Sequence, residues 1–173
     1  ATSDWTELHT FQTDGFVRFP SWKSDGTALV WGHTLRRFAV WPLGDEDIEL
    51  FDYPTPAPSE FTASHSSSVT AMVPAPASDL MAIGNMFPQC LFLWDAKVAN
   101  VSQSHELGGG GFNSIDWREG AQQLVASGFE GRLFIFDVAE SKLKLKISGH
   151  HGHATDCRWS PDGIQIASGG EDH

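Results

Sequence analysis

The chain has 173 residues and a formal net charge of −11, because 22 Asp and Glu residues outnumber 11 Lys and Arg residues. Nucleic-acid binding is dominated by Lys and Arg that neutralise phosphates, so this balance argues against a direct nucleic-acid surface. No apolar run is long enough for a membrane span, and no charged and then apolar signal segment opens the sequence.

Four segments along the chain share one internal spacing between a large apolar residue and a glycine. The pairs are Trp22 and Gly32, Val73 and Gly84, Trp117 and Gly128, and Trp159 and Gly169, and in each pair the glycine comes ten or eleven positions after the large residue. The glycines then step by 52, 44 and 41 residues. This period, with apolar residues alternating inside each segment, is typical of one four-stranded propeller blade.

The repeat predicts the order of elements along the chain. Residues 1–13 hold the outer strand of a preceding blade, residues 14–58 form blade one, 59–107 blade two, 108–148 blade three, and 149–173 a truncated blade four. Three prolines, Pro54, Pro56 and Pro58, place a loop before the first strand of blade two, since proline cannot donate to a central strand. The glycines at 108–111 predict a flexible or tightly turned connection into blade three.

Blade four carries the clearest motifs: Gly149-His150, then Ser160-Pro161-Asp162-Gly163, then Ala167-Ser168-Gly169. Together with Trp94-Asp95 in blade two, they resemble the WD-repeat β-propeller family. The resemblance implies an all-β fold, a partial β-propeller of four-stranded antiparallel blades with about three and a half WD40-type repeats. It also implies that the remaining blades of a larger propeller are partners of this chain.

His150, Ser168 and Asp172 invite three interpretations. With His151, His153 and His173, the histidine could belong to a metal site, and with the serine and aspartate it could form a hydrolase triad. The family resemblance favours a third interpretation, a structural tetrad in which histidine, serine, aspartate and a third-strand tryptophan are hydrogen-bonded within a blade. We therefore predict no catalytic, metal-binding or cofactor-binding residue and no cofactor.

Apolar side chains stand where the family's partner segments usually dock. Met86 and Phe87 in blade two and Phe129 in blade three occupy turns between second and third strands, and Phe112 lies in the loop that enters blade three. Exposed aromatic and methionine side chains are typical of interface hot spots. We predict a protein-binding site at Met86, Phe87, Phe112, Phe129 and Glu171. The alternative is that Phe112 or Phe129 packs into the core between blades.

Two other features have simple structural explanations. Lys142, Lys144 and Lys146 alternate with apolar residues on a predicted outer strand, where lysines discourage pairing with another chain; an anionic docking site is the alternative. The two cysteines, Cys90 and Cys157, match no metal or redox spacing and are typical of buried thiols. They favour an intracellular setting, cytoplasmic or nuclear.

The sequence therefore predicts a non-enzymatic scaffold for protein–protein interaction. One alternative is the noncatalytic propeller domain of a larger hydrolase or peptidase, because Trp159-Ser160-Pro161-Asp162-Gly163 also suits such propellers. Another is a substrate receptor of a cullin-RING ubiquitin ligase, since Trp94-Asp95-Ala96-Lys97 is similar to that group's WD-x-R signature. Lysine cannot reproduce the planar fork of arginine at the last position.

Overall fold

A computed structural model describes residues 10, 12–13, 17–33, 37–45, 47–52, 69–86, 89–120 and 122–172. Regular structure within these ranges consists of fourteen β-strands. They are β1 (Arg18–Trp22), β2 (Ala28–His33), β3 (Arg37–Pro42), β4 (Glu49–Asp52), β5 (Val69–Pro74), β6 (Leu80–Asn85), β7 (Cys90–Asp95), β8 (Asn100–Glu106), β9 (Phe112–Trp117), β10 (Gln123–Gly128), β11 (Arg132–Asp137), β12 (Lys142–Ser148), β13 (Ala154–Trp159) and β14 (Ile166–Gly170). No helix in these ranges has the length and apolar character needed to cross a membrane.

Each group of consecutive strands forms an antiparallel meander. Three sheets have four strands, in the orders β1 to β4, β5 to β8 and β9 to β12, and β13 pairs with β14 in a fourth. The innermost strands β1, β5, β9 and β13 pack side by side. The predicted fold class, an all-β partial propeller of four-stranded blades, is confirmed. The outer strand predicted for residues 1–13 falls largely outside the described residues.

The hydrophobic cores lie between neighbouring blades. One joins blades one and two around Phe38, Phe92 and Trp94, and another joins blades two and three around Leu91 and Phe134. A smaller one joins blade three to β13 and β14. Because each blade buries its face against the next one, the stability of a blade depends mainly on its neighbours.

Close packing between blades explains two of the regularly spaced glycines. A Cβ at Gly32 would lie 2.9 Å from a methyl group of Val69, and a Cβ at Gly84 would lie 3.1 Å from Phe112. Val69 and Phe112 begin the innermost strands of the next blades. At these two positions the glycine therefore makes room for the first side chain of the following blade.

Strand direction defines two faces of the molecule. The upper face lies at the ends of β2, β6 and β10 and carries the turns into β3, β7 and β11. The lower face carries the turns that join β1 to β2, β5 to β6, β9 to β10 and β13 to β14. In the described part of each lower turn one residue has a positive φ: Gly26, Ala77, Gly120 and Gly163. Three are glycine, which adopts this conformation without the steric cost that alanine bears.

Candidate protein-docking site on the upper face

A buried glutamine fixes the glycine segment that leads into blade three. The side chain of Gln89 is almost fully buried, and its Nε2 donates to the carbonyl oxygen of Gly111 at 2.7 Å. Gly111 has a φ of +126°, and a Cβ there would lie 3.1 Å from the side chain of Met86. The absence of side chains at 109–111 therefore lets the backbone lie directly against Met86.

The same segment supports Phe129. The backbone N–H of Phe129 donates to the carbonyl oxygen of Gly111 at 3.1 Å. A Cβ on Gly110 would lie 3.2 Å from Phe129, so the backbone packs against that side chain as well. On the blade-four side, the ring of Phe129 stacks on His153 with centroids 5.1 Å apart and planes 13° apart.

His153 continues the surface to Glu171. The backbone N–H of Glu171 donates to the carbonyl oxygen of His153 at 3.0 Å. Their side chains are about half exposed, and Nδ1 of His153 lies 3.7 Å from Oε1 of Glu171. We call this continuous surface the upper ribbon; it consists of Met86, residues 109–111, Phe129, His153 and Glu171.

The upper ribbon has an apolar centre and a charged edge. Met86 and Phe129 are both partly exposed. Glu130 follows Phe129 and pairs with Arg132, whereas Glu171 lies beside the imidazole of His153. An apolar strip with a polar rim is the usual anatomy of a protein-binding surface.

One of the predicted binding residues, Phe112, does not contribute to this surface. Phe112 is 0% exposed, so its placement on an exposed face is wrong. It is the first residue of β9, its ring meets Phe134 edge to face at 5.7 Å, and it packs over Gly84 in the neighbouring blade. The alternative of a core position is correct for Phe112. Phe87 lies outside the described residues.

His150, Ser168 and Asp172 come together in the arrangement that a structural tetrad requires. Nδ1 of His150 lies 2.8 Å from Oδ1 of Asp172, and Nε2 lies 2.9 Å from Oγ of Ser168. The backbone N–H of His151 donates to the other carboxylate oxygen at 3.0 Å. The hydrogen bond from His150, followed by that from His151, lowers the pKa of Asp172 to about 2. With an ionised carboxylate as acceptor, Nδ1 of His150 carries the proton and Nε2 accepts from the Ser168 hydroxyl.

The distances alone would also suit a hydrolase triad. The repeat argues against that role, because Ser168 occupies the position that Ser127 holds in blade three, just before the spaced glycine. Ser127 is 0% exposed in a blade that has four strands and neighbours on both sides. The position is thus a buried one in a blade that is covered on both sides, whereas Ser168 itself is exposed among the described residues.

The model of the family described as eukaryotic translation initiation factor eIF2A matches residues 21–168, well over half of the chain. The chain belongs to the eIF2A family. It is 34% identical over 79 residues to one of the subunits of eukaryotic translation initiation factor 3 from Nicotiana tabacum, covering 44% of this chain and 11% of that protein.

Other relatives of this eIF2A-family chain are more distant. It is 26% identical over 96 residues to meiotic fizzy-related protein 1 of Schizosaccharomyces pombe, covering 55% of the chain and 22% of the relative. It is 25% identical over 139 residues to the anaphase-promoting complex protein cdh1 of Dictyostelium discoideum, covering 55% of this chain and 18% of the relative. The chain thus spans less than a quarter of each of these relatives.

Solved structures agree on the fold. One chain in a crystal structure of the mitotic checkpoint complex has a TM-score of 0.72 and 20% identity, covering 90% of this chain and 46% of that one. A structure of U3-55K has a TM-score of 0.73 and 15% identity, covering 86% of this chain and 44% of that one. The predicted resemblance to WD-repeat propellers is confirmed.

Several other reactive side chains among the described residues of this eIF2A-family chain are buried or have local partners. Burial raises the pKa of the Cys90 thiol to about 11 and that of the Cys157 thiol to about 12, so neither is a ready nucleophile. On β12, Lys144 lies 3.3 Å from Asp137, and Lys146 lies over the ring of Phe134. Among the described residues, no group of three or more His, Cys, Asp or Glu side chains is arranged to hold a metal ion.

Sequence reasoning did not place Gln89 or His153 at the upper ribbon. His153 could have been found from the repeat, because the loop after Gly149 corresponds to the glycine segment before Phe112 and therefore lies on the upper face. Gln89 gave no such signal. Only the fold shows that its amide reaches Gly111, which is 22 residues further along the chain.

Proposed function

We propose that this eIF2A-family chain is a non-catalytic part of a WD-repeat propeller and that its upper ribbon binds a segment of a partner protein. The observation that supports this proposal is the way in which Phe129 is held in place. Its backbone N–H is hydrogen-bonded to Gly111, the backbone of Gly110 packs against one side of it, and His153 stacks against its ring. A partly exposed aromatic ring held in this way loses little conformational entropy on binding and is therefore suited to act as an anchor.

The comparisons support a partner in the translation initiation apparatus. The family is named for a translation initiation factor, and the tobacco relative is part of another one. The names of the slime-mould relative and of one solved structure also refer to multi-protein complexes. We propose an intracellular location for the same reason, and we infer that the partner segment inserts an apolar side chain between Met86 and Phe129.

We further propose that the remaining blades of a larger propeller cover blade four. Ser168 is exposed, whereas its counterpart Ser127 in the covered blade three is fully buried. Ile164, beside β14, is 75% exposed. A longer chain that supplies the adjoining strands would cover these side chains and stabilise the blade through neighbour contacts.

The test is capture of translation initiation factors from cell extract by the full-length protein. Phe129→Ala should reduce recovery about tenfold, because truncation of an aromatic anchor typically costs about 2 kcal/mol or more. Lys144→Ala on the outer strand is the control and should leave recovery unchanged. If recovery is unchanged by Phe129→Ala but lost with Lys144→Ala, the binding surface lies on the outer strand and not on the upper ribbon.

One substitution separates this proposal from the hydrolase alternative. Ser168→Ala removes the only hydroxyl that contacts His150 among the described residues. If the histidine, serine and aspartate are structural, the variant should melt at a lower temperature, and partner recovery should follow the folded fraction. Loss of a hydrolytic activity with an unchanged melting temperature would support a catalytic role instead.

A further inference from the structure

A cleft lies on the lower face, between blades one and two. It has a volume of about 290 Å³, near the lower end of the range for small-molecule pockets, so it suits one large side chain better than a cofactor. Val30, Met81 and Trp94 form an apolar floor, each of them nearly fully buried. Leu80 and Ala96, both less buried, line the blade-two wall. The cleft is at the opposite end of β6 from Met86, so it is separate from the upper ribbon.

Main-chain hydrogen bonds hold the mouth of the cleft in place. The backbone N–H of Ala96 donates to the carbonyl oxygen of Asp79 at 2.9 Å, which ties the turn after β7 to the turn before β6. The N–H of Leu43 donates to the carbonyl oxygen of Thr27 at 2.8 Å and ties the corresponding turns of blade one. Both walls are therefore formed before any ligand arrives.

The charges at the mouth favour a cationic ligand. The Lys23 ammonium lies 3.0 Å from the Asp25 carboxylate and 3.3 Å from that of Asp79, so two carboxylates share one cation. Asp25 also accepts hydrogen bonds from the hydroxyl and the backbone N–H of Thr27. Those bonds, the hydroxyl's above all, lower the pKa of Asp25 to about 2, so this carboxylate is ionised.

The excess negative charge falls on Asp79. Its side chain is 53% exposed, and the Lys23 ammonium beside it is already shared with Asp25. Among the described residues that line the cleft, Lys23 is the one lysine, so a carboxylate ligand would meet Asp25 and Asp79 beside it, whereas a Lys or Arg side chain would pair with Asp79. Charge complementarity therefore selects a basic partner.

We propose that this lower cleft binds a segment of a partner protein in which a leucine-sized or phenylalanine-sized side chain enters the apolar floor and a neighbouring Lys or Arg pairs with Asp79. The apolar side chain supplies burial, and the basic residue sets the direction of the segment at the mouth. The site is independent of the upper ribbon.

The test uses the full-length protein and a capped fluorescent peptide, Ser-Arg-Leu-Lys-Ser, with binding followed by fluorescence polarisation. Two control peptides separate the two features: Ser-Arg-Ser-Lys-Ser lacks the apolar anchor, and Ser-Glu-Leu-Glu-Ser reverses the charge. We expect the first peptide to bind and both controls to bind at least about fivefold more weakly.

Three variants locate the binding. Ala96→Trp fills the cleft from an exposed turn position and should weaken binding about tenfold or more. Asp79→Asn should weaken it about threefold to fivefold, in line with the strength of exposed ion pairs. Glu140→Gln removes a charge of the same sign from the turn that joins β11 to β12 in blade three and should have no effect. Phe129→Ala on the upper ribbon should have none either, so failure here is distinguishable from failure of the proposed function.

Several results would overturn the proposal. They are no binding of the basic peptide, equal binding of the acidic peptide, or affinity that Ala96→Trp leaves unchanged. Self-association of the protein that Ala96→Trp abolishes would assign the cleft to a second copy and would also contradict the proposal. If Ala96→Trp does not fold, the effect of Asp79→Asn on peptide affinity tests the proposal instead. That variant keeps the hydrogen bond from the backbone N–H of Ala96 to the carbonyl oxygen of residue 79.

Discussion

Replacing Phe112 by alanine tests whether this ring stabilises the fold or binds a partner. The ring is fully buried between blades two and three, where it packs over Gly84 and meets Phe134 edge to face. Buried Phe→Ala substitutions cost about 3 to 5 kcal/mol. The rigid backbone at Gly84 limits collapse around the cavity, so we expect about 4 kcal/mol. For a protein of this size, that loss lowers the melting temperature by about 8 to 16 °C.

The assay is urea denaturation together with thermal melting, both followed by circular dichroism. Phe129→Ala is the matched control, because it removes the same ring from a partly exposed position and should cost about 1 kcal/mol or less. A loss below about 1 kcal/mol for Phe112→Ala would refute the argument that this residue belongs to the core. Phe112→Leu should fall between the wild type and the alanine variant.

Three more changes test other parts of the fold. Ala77→Gly should stabilise the protein by about 0.5 to 1 kcal/mol, measured by urea denaturation, because Ala77 has a φ of 50° and glycine bears no steric cost there. Gly131→Ala should destabilise it by about 2 kcal/mol or more in the same assay, because its φ is +71° and a Cβ would collide with the carbonyl oxygen of His150. Asp172→Asn should lower the melting temperature at pH 7. Since the folded-state pKa of Asp172 is about 2 and the unfolded value about 3.9, its stabilisation is complete above about pH 5 and is lost as the pH falls through about 2, so that variant and wild type should converge only below that pH.

The architecture could be predicted from the sequence because the spacing between the large apolar residue and the glycine recurs in all four segments. The outer strand of blade two, Asn100–Glu106, has few marks of its own in the sequence, yet it lies within the bounds 59–107 that the repeat predicts for that blade. The hydrogen-bonding partners of His150 could likewise be predicted, since the motif fixes which residues face one another.

Predictions about exposure were less reliable, because exposure depends on the neighbouring blade. Phe112 stands next to a glycine segment and looks like a loop residue in the sequence. Its direction is set by the close approach of Gly84, which no local pattern reveals. The stacking of Phe129 on His153 likewise joins two blades whose contact emerges only when the sheets pack.

The central claim, that the upper ribbon binds a partner protein, is tested most directly by site-specific photo-crosslinking. A benzophenone-bearing phenylalanine analogue placed at position 129 of the full-length protein should form crosslinks to a translation initiation factor in cell extract. The same analogue at position 145, where Leu145 is half exposed on β12, should not. Crosslinks to such a factor from position 145 and none from position 129 would contradict the account.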